Sequence, residues 1–521
     1  MAYNREKSMT STQWDHIGRK HHHGICLPLS SILTENSCGI GEYLDLIPLL
    51  TWLSKTGFDT IQLLPINDSG NDPSPYASIS SCALHPVYLS LRDLPNHESV
   101  PGFSKKIEEL VSLNRLERVD YSNVLHKKIE AISLYLDRFL PEIEKDPEFR
   151  VFFEKNRPWL TSYSIFKVLK GLHHGKAWWD WEEHSTHKID DSLLTNEVLR
   201  WRAVQYLCFS QMRKVREIAD ENGIFLKGDI PILINRDSAD VWWNPDLFDL
   251  KLSVGSPPDP YCKDGQHWGF PMYRWENHRK DNFRWWKERV GVQEQLFHIY
   301  RLDHIIGFFR FWAIPPESHA KDGSFIPEHE HEWATLGEEI LSHVVTSSSM
   351  LPIGEELGGI EDIVKNSVQN LGIPVSIVMR WVHQDKDGSF LHPKRYFPES
   401  LSTLSTHDST IMAEWWSEEQ QASQRLAYEL GFRWDKKLST TTLFELFCLC
   451  HDSGSLFHVN MFNEILSLFP ELSWGSPKRE RINIPGLILP TNWTYRCKAC
   501  VEQICSHEQL FKAMKKFSSS D

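Results

Sequence analysis

Apolar side chains recur at helical spacing in several segments, and each segment is followed by a short apolar run. The first, 43–56, carries leucines three and four positions apart from Leu46 to Leu53, ends at Gly57 and precedes the run 60–64. This spacing predicts an amphipathic helix followed by a buried strand, with glycine as the helix end. The same order recurs with predicted helices at 197–219, 281–296 and 333–346 and predicted strands at 224–227, 298–302 and 350–353; further strands are predicted at 24–29 and 375–379.

This alternation of helix and strand predicts an α/β fold with a parallel sheet that is closed into a barrel or covered by helices. The 521 residues suffice for a (β/α)₈ barrel, which takes ~250 residues and can exceed ~400 with insertions. A doubly wound sheet also fits the pattern. Neither G-x-G-x-x-G nor the phosphate-binding G-x-x-x-x-G-K-[ST] occurs in the sequence, so the usual nucleotide-binding uses of that alternative have no support.

One stretch departs from the alternation and is mostly helical. Between Leu110 and Trp181, apolar residues from Leu125 to Phe139 step by three and four, and we expect that helix to end at Pro141. We predict a single catalytic domain over 24–510 with two insertions, a helical subdomain at about 103–195 and a substrate loop at about 240–280. The flanking ranges 1–23 and 511–521 are expected to be an N-terminal extension and a C-terminal tail.

The charge balance restricts the possible partners. Lys and Arg number 56 against 70 Asp and Glu, a net charge of −14, and a phosphate backbone would be repelled by such a surface. The first twenty residues lack the apolar core of a secretory signal, and no apolar stretch approaches the ~20 residues of a membrane span. We therefore expect a cytoplasmic protein that binds neither nucleic acid nor membrane.

Cysteines and histidines give no metal site. The ten cysteines are expected to be free thiols, and Cys497 and Cys500 lack a second pair at zinc-binding spacing. The adjacent histidines 21–23 would point in different directions on a helix or strand, so we place them at the entry to the first strand. No metal or cofactor is predicted.

Tryptophan is abundant, with twenty-one residues. Its flat faces suit either sugar stacking or a large core, and the composition leaves both open. Four doublets occur in the sequence, at Trp178–Trp179, Trp242–Trp243, Trp285–Trp286 and Trp415–Trp416.

Four acidic residues follow predicted strands or strand-like runs. They are Asp229, Asp303, Glu355 and Asp408. In a barrel the carboxyl ends of the strands converge on one face, where active sites are built. A single acidic residue after a strand is more often a helix N-cap, but four together favour catalysis. Since the strand 375–379 intervenes, we expect Glu355 and Asp408 to be two strands apart.

At these residues the sequence resembles the 4-α-glucanotransferases (amylomaltase or disproportionating enzyme, glycoside hydrolase family 77). The resemblance extends from about Gly24 to Arg496. It is carried, in order, by 24–66, SPYASIS at 74–80, GDIPILINRDSADVW at 228–242, SPPDPYCKDGQHWGFPMYRW at 256–275, YRLDHIIGFFRFWAIP at 300–315, GEELG at 354–358, THD at 406–408 and INIPGLILPTNWTYR at 482–496. It implies a (β/α)₈ barrel with inserted subdomains and no separate C-terminal β-domain.

The resemblance also implies residue roles. Asp303 matches the nucleophile, Glu355 the general acid/base, and Asp408 the carboxylate that stabilises the distorted sugar. Residues matched to substrate binding are Tyr76, Asp229, Trp268, Arg301, His304 and His407. Glu356 takes the place of a family Asp and is expected to support Glu355, whereas Pro260-Tyr261-Cys262 lacks one of two adjacent aromatics found in many bacterial members.

The implied activity is transfer of α-1,4-glucan segments from a donor glucan to glucose or a maltooligosaccharide, by a retaining double displacement. For this chemistry Arg301 should hold Asp303 ionised, and burial with nearby anions should raise the pKa of Glu355. An α-amylase-like or debranching hydrolase would use the same carboxylates. An inactive glucan-binding scaffold and a metal-dependent hydrolase are the more distant alternatives, and the oligomeric state stays open.

Overall fold

Eight parallel strands close into a barrel. The computed structural model describes residues 8–181, 195–258, 263–355, 361–384 and 388–519. Each strand pairs with its neighbours in chain order, and the last pairs with the first, which confirms the closed barrel and excludes the doubly wound sheet. The barrel strands are β1 (His22–Leu27), β2 (Thr60–Leu63), β3 (Phe225–Ile230), β4 (Ile299–Leu302), β5 (Leu351–Gly354), β6 (Val375–Val378), β7 (Ser400–Thr403) and β8 (Phe457–Met461).

The strands predicted from apolar runs match β1 to β6 to within a few residues, but β8 was not predicted. Its sequence, FHVNM, interrupts the apolar run with His458 and Asn460, which are fully buried. Both find hydrogen-bond partners inside the protein: His458 Nδ1 donates to the Cys450 carbonyl at 2.9 Å, and Asn460 Oδ1 accepts from the Leu404 N–H at 2.9 Å. Paired polar groups can occupy a buried strand, and a hydropathy pattern does not reveal the pairing.

Helices fill most connections between the strands. The predicted helices at 197–219, 281–296 and 333–346 correspond to Thr195–Glu221, Arg284–Gln293 and Glu330–Val345. The other α-helices of the described residues are Ser11–Ile17, Leu46–Lys55, Phe103–Val111, Tyr121–Lys145, Pro147–Leu172, Ala239–Trp243, Trp275–Lys280, Asp362–Leu371, Met412–Glu418, Gln420–Glu429, Thr440–His451, Phe462–Leu466, Val501–Ser506 and Glu508–Ser518.

The mostly helical stretch lies between β2 and β3. Its helix Tyr121–Lys145 continues through Pro141, so the predicted helix end at that residue is wrong. Proline removes one helical hydrogen bond and crowds the preceding turn, at a cost of ~3 kcal/mol. Leu140 and Ile143, on either side of it, are both buried. Burial of the apolar face beyond the proline therefore offsets the local cost.

A second, antiparallel sheet of four strands overlaps the loop region expected at about 240–280. Its strand order is Gln266–Tyr273, Phe248–Ser256, Phe311–Ile314 and Ser324–Ile326. The last two strands follow β4, so this sheet joins two loops that leave neighbouring barrel strands. The sheet gives Trp268 a fixed position beside the carboxyl end of the barrel. The segment 260–262, where the sequence departs from many bacterial relatives, lies outside the described residues.

The first and last helices of the described residues pack against the rest of the fold. In the helix Ser11–Ile17, Trp14 is buried, and the Gln13 side chain donates to the Val345 carbonyl at 3.1 Å. Within the tail expected at 511–521, residues up to Ser518 belong to the helix Glu508–Ser518, whose apolar residues at helical spacing, including Phe517, are buried. No helix within the described ranges is long and apolar enough to cross a membrane.

Histidines collect at the amino end of the barrel, where β1 begins at His22 as expected. We call His21, His23, His451 and His458 the histidine cluster. His23 Nδ1 lies 2.9 Å from His451 Nδ1, and His21 Nδ1 lies 2.9 Å from His458 Nε2. The rings of His23 and His458 stack at 5.0 Å between centroids. This end of the barrel is therefore filled by a polar but hydrogen-bonded group.

Candidate active site

The four predicted acidic residues lie at the carboxyl end of the barrel. Asp229 is the next-to-last residue of β3, Asp303 directly follows β4, and Glu355 directly follows β5. Asp408 follows β7, and the barrel order places β6 between β5 and β7. The predicted separation of Glu355 and Asp408 by two strands is therefore confirmed.

Arg301, on β4, contacts three of the acidic residues. Its Nη1 donates to Asp229 Oδ1 and Oδ2 at 2.7 and 2.8 Å and to Asp303 Oδ1 at 2.9 Å. Its Nη2 forms an ion pair with Glu355 Oε1. Only 8% of Arg301 is exposed, so these charges are held out of water and compensate one another through charge-assisted hydrogen bonds. The guanidinium fixes the separation of Asp303 and Glu355.

Backbone N–H groups complete the positioning of the same two carboxylates. Ile232 N donates to Asp303 Oδ2 at 3.2 Å, and His304 N donates to Glu355 Oε2 at 2.8 Å. His304 has φ = 44°, in the left-handed region, which costs a residue with a side chain about 1–3 kcal/mol. This conformation accompanies the alignment of the His304 N–H with Glu355. Local strain is thus held at the residue next to Asp303.

The protonation of this pair differs from the expectation. Burial raises the pKa of Asp303 to about 8, aided by Glu355 and opposed by Arg301. Burial also favours neutral Glu355, but Arg301 and the His304 N–H outweigh it and lower its pKa. The expected raised pKa of Glu355 is wrong because that carboxylate accepts from two strong donors. At neutral pH the pair therefore holds one proton, which belongs to the two coupled carboxyls together.

Asp408 is held by its neighbours in a different way. Asn483 Nδ2 donates to Asp408 Oδ1 at 2.6 Å, and His407 Nε2 lies 3.3 Å from Asp408 Oδ2 without the alignment of a hydrogen bond. Burial acts to raise the pKa of Asp408, but His407 and Asn483 outweigh it and lower the pKa to about 2. The Asp408 side chain is 41% exposed, the most accessible of the three predicted catalytic carboxylates. It is therefore an ionised carboxylate that faces the barrel opening.

Tyr76 joins the two groups of acids. Its hydroxyl donates to Asp229 Oδ2 at 2.7 Å, and its ring stacks on His407 with centroids 5.3 Å apart. Trp493 lies against both rings, at 5.5 Å from Tyr76 and 5.8 Å from His407. Tyr76 and its ring partners thus connect Arg301 and its carboxylates to His407 and Asp408.

Trp268, on the second sheet, contacts the site at His304. Its ring meets His304 edge-on, with centroids 5.1 Å apart and an interplanar angle of 90°. Burial lowers the pKa of His304 to about 4, so this ring is neutral at physiological pH. With this contact, one continuous set of contacts joins all the predicted site residues: Tyr76, Asp229, Trp268, Arg301, Asp303, His304, Glu355, His407 and Asp408.

A model of the 4-alpha-glucanotransferase family, glycoside hydrolase family 77, matches residues 27–502. The chain belongs to this family. The resemblance found in the sequence motifs is confirmed.

Relatives support the assignment over nearly the whole chain. The 4-alpha-glucanotransferase of Chlamydia pneumoniae is 42% identical over 509 residues, which cover 96% of each chain. The amylomaltase of Streptococcus agalactiae, solved in complex with acarbose, is 23% identical and covers 96% of this chain and 99% of that one with a TM-score of 0.80. The amylomaltase of Corynebacterium glutamicum gives a TM-score of 0.81 at 18% identity, covering 98% of this chain and 77% of that one. These two structures share the fold.

Two site residues of this family member were not assigned from the sequence. Asn483 and Trp493 lie in the segment 482–496, which was recognised as a motif without a role for either residue. Their contacts with Asp408, His407 and Tyr76 depend on where a long loop after β8 returns to the opening. Asn483 is followed by Ile-Pro-Gly, a turn signal that indicates a sharp bend but does not say what the bend approaches.

The position directly before the predicted acid/base Glu355 has room only for a glycine, Gly354. A Cβ at this position would lie 2.5 Å from Cδ1 of Ile305, closer than side chains approach one another. Ile305 is buried and follows His304, whose N–H contacts Glu355. The glycine lets the segment after β4 pack directly on the end of β5. The backbone donor therefore reaches the carboxylate.

The parts of the chain that the structure describes contain no side-chain arrangement suited to a metal ion. No group of three His, Cys, Asp or Glu side chains is arranged there to hold an ion. At the site, the guanidinium of Arg301 occupies the position among the carboxylates that a cation would need. The nine described cysteines are free thiols. Glu356, expected to support Glu355, lies outside the described residues.

Proposed function

We propose that this protein is a 4-α-glucanotransferase that moves a segment of an α-1,4-glucan from a donor to glucose or a maltooligosaccharide. The observation that carries the proposal is the bridging of Asp303 and Glu355 by the two Nη atoms of Arg301. Retaining glycosidases and transglycosidases need two carboxyl groups ~5–5.5 Å apart, one as nucleophile and one as acid. A single guanidinium between two carboxyls suits that separation.

In the first half-reaction Asp303 attacks the anomeric carbon and forms a glycosyl ester. The glycosidic C–O bond breaks, and Glu355 gives its proton to the departing oxygen. The proton that the pair holds must therefore lie on Glu355 when the bond breaks. Arg301 contacts both carboxylates and stabilises whichever is ionised, so the proton can pass from Asp303 to Glu355 as the sugar enters.

Asp408 stabilises the charge that develops on the sugar. Its pKa of about 2 keeps it ionised, and its exposed oxygens face the opening, where sugar hydroxyls can donate to them. Positive charge grows on the sugar ring as the bond breaks, and a fixed carboxylate lowers the energy of that state. Asn483 and His407 act as positioning residues for Asp408.

In the second half-reaction Glu355, now ionised, takes a proton from an incoming hydroxyl, which displaces Asp303 from the anomeric carbon. A sugar hydroxyl gives transfer, and water gives hydrolysis. Trp268, which contacts His304, and the pair formed by Tyr76 and Trp493, which contacts His407, provide apolar faces for an acceptor sugar. An acceptor bound there displaces water, which favours transfer.

Incubation with maltotriose tests the proposed function. Transfer yields glucose together with chains longer than the substrate, whereas hydrolysis yields shorter chains alone. Chromatography of the products over time separates the two activities, and wild-type enzyme treated with EDTA should behave as the untreated enzyme does. A product mixture without any chain longer than maltotriose would favour the hydrolase alternative.

The free thiols and the substrate class fit one cellular setting. Cysteines that stay reduced are typical of a reducing compartment, and we propose the cytoplasm with maltooligosaccharides or a glycogen-type polymer as the donor. Feeding maltose, maltotriose and glycogen in separate reactions would rank the donors. Fractionation of the native host would locate the protein.

A further inference from the structure

The four tryptophan doublets resolve into two kinds. Trp242, Trp286 and Trp416 are at most 1% exposed, so three doublets contribute to the core. In the fourth doublet Trp179 is 46% exposed, and its neighbour Trp178 is half-buried. An indole that exposes nearly half its surface forgoes much of the free energy of burial. The proposed active site does not use this doublet.

Trp178 is fixed to the loop that follows β3. Its indole Nε1 donates to the Arg236 carbonyl at 2.8 Å, and its backbone N–H donates to Asp237 Oδ1 at 3.2 Å. Lys170, near the end of the helix Pro147–Leu172, forms an ion pair with the same Asp237 at 2.5 Å. The tryptophan segment, the helical insertion and the β3 loop are therefore tied together.

Trp179 is held from two sides. The Arg236 guanidinium lies over its ring, 5.0 Å from the centroid, and the Trp178 ring meets it at 80° with centroids 5.6 Å apart. Cation–π and edge-to-face contacts of this kind fix the plane of a ring without burying it. We call Trp178, Trp179 and Arg236 the tryptophan platform. An immobilised ring loses little conformational entropy when a ligand stacks on it.

The tryptophan platform belongs to the same end of the barrel as the carboxylates. Arg236 is six residues beyond Ile230, the end of β3, and six residues span at most ~21 Å. The intervening Asn235 N–H donates to the Ser78 carbonyl at 3.3 Å, two residues after Tyr76. The loop with Arg236 and the loop with Tyr76 are thus hydrogen-bonded neighbours. A long glucan chain that leaves the site past Tyr76 would therefore run toward the tryptophan platform.

We propose that the tryptophan platform is an outer binding site for the α-glucan chain, separate from the sugars next to the bond that is cut. Pyranose rings present C–H groups with partial positive charge, which match the negative face of an indole. The neighbouring guanidinium of Arg236 can donate to sugar hydroxyls at the ring edge. The inference rests on the proposed function for the identity of the ligand, and its test separates the two.

The test compares Trp179→Ala with wild type in two assays. In native gels that contain glycogen, wild type should be retarded, and the variant should bind about 2- to 12-fold more weakly, the range for loss of one ring-stacking contact. The KM for a long amylose donor should rise by a similar factor. The kcat and KM for maltotriose should stay within about twofold, because so short a chain does not reach the tryptophan platform.

Two control variants separate ring stacking from general surface effects. Leu172→Ala removes a side chain that is 61% exposed at the end of the helix Pro147–Leu172, in the same region but without a ring, and should bind glycogen as wild type does. Trp179→Phe keeps an aromatic face and should retain most of the retardation. Equal weakening by Leu172→Ala would overturn the proposal.

Equal retardation of Trp179→Ala and wild type would also overturn the outer site, while leaving the proposed function intact. A fall in maltotriose turnover as large as the fall in glycogen binding would do so too, because it would assign Trp179 a structural role. Failure of the wild type to lengthen maltotriose would instead reject the proposed function, whatever the gels show.

Discussion

The two ends of the barrel both bury polar side chains, but they do so in opposite ways. At the carboxyl end Arg301 lies among Asp229, Asp303 and Glu355, and the charges compensate one another. At the amino end burial lowers the pKa values of His23, His451 and His458, so these three members of the histidine cluster are uncharged. In (β/α)₈ barrels the carboxyl end carries the chemistry and the amino end contributes stability. Here the difference is one of charge: the site at the carboxyl end includes ionised side chains, whereas the buried histidines 23, 451 and 458 at the amino end are neutral.

The hydrogen bonds at the amino end fix which nitrogen carries each proton. Asn460 directs its amide oxygen to a backbone N–H, so its Nδ2 donates to His451 Nε2, at 3.1 Å. His451 must then donate from Nδ1 to His23, and His458, which donates from Nδ1 to a carbonyl, must accept at Nε2 from His21. A proton added to His23, His451 or His458 would place two donors face to face. These three histidines consequently keep their hydrogen bonds only when neutral.

The largest expected effect is on catalysis at the carboxyl end. Glu355→Gln should fold normally and lose ~10²–10⁴-fold in turnover, because the amide cannot donate a proton as an acid does. Asp303→Asn should fold and lose activity as well. Rates with maltotriose, together with thermal melts of each variant, check this prediction. Full turnover by Glu355→Gln would end its assignment as the acid/base.

The next effect concerns Asn483, which donates to Asp408. Asn483→Ala removes a hydrogen bond to a charged group, worth about 1.5–3 kcal/mol, so kcat/KM should fall about 10- to 150-fold. Asn492 is the matched control, since its amide bonds only to the same loop, at Ile484 and Leu487. Asn492→Ala should lose much less. Equal losses would mean that order in the loop, and not the bond to Asp408, sustains activity.

The pH dependence of activity sharpens the contrast between the ends. The carboxyl pair holds its proton up to the pKa of about 8 shown by Asp303, and catalysis needs that proton. The value of kcat/KM should therefore be steady just below pH 8 and fall about tenfold per pH unit above it. Measurement of kcat/KM from pH 6 to 10 checks this fall in activity on the alkaline side. A flat profile to pH 10 would show that the pair gives up no proton in this range.

The smallest expected effect is on stability at the amino end. Burial lowers the pKa of His23 to about 4 and holds the pKa values of His451 and His458 well below the usual 6.5. Below pH 6.5 the unfolded chain takes up protons that the folded chain resists, so the free energy of unfolding should fall between about pH 6.5 and 4. Melting temperatures across this window should drop more steeply for wild type than for His451→Asn. Parallel curves would contradict the assigned role.

The barrel and its acidic residues could be predicted from the sequence because both depend on local signals. The strands β1 to β6 follow short apolar runs, and Asp229, Asp303 and Glu355 stand at the ends of three of them, so position along the chain predicts position in the fold. Residues whose role depends on a distant partner were missed. Asn483 meets Asp408 across 75 positions, and His458 and Asn460 tolerate burial only because of partners in other segments.

Protonation was the second feature that the sequence did not yield. Burial and nearby anions could be anticipated for Glu355, but not that Arg301 and the His304 N–H would both contact it and reverse the direction of the shift. Such a shift depends on distances of a few ångströms between groups from different strands. Only the geometry of the site decides it.

The nucleophilic role of Asp303 is tested most directly by trapping the glycosyl ester. Glu355→Gln, given α-glucosyl fluoride, whose leaving group needs no acid, should form the ester and then resolve it slowly. Peptide mass spectrometry after an acid quench should find one added glucosyl group on the peptide with Asp303, at that carboxyl. Release of fluoride without an adduct, or an adduct on Asp408 instead, would contradict the account.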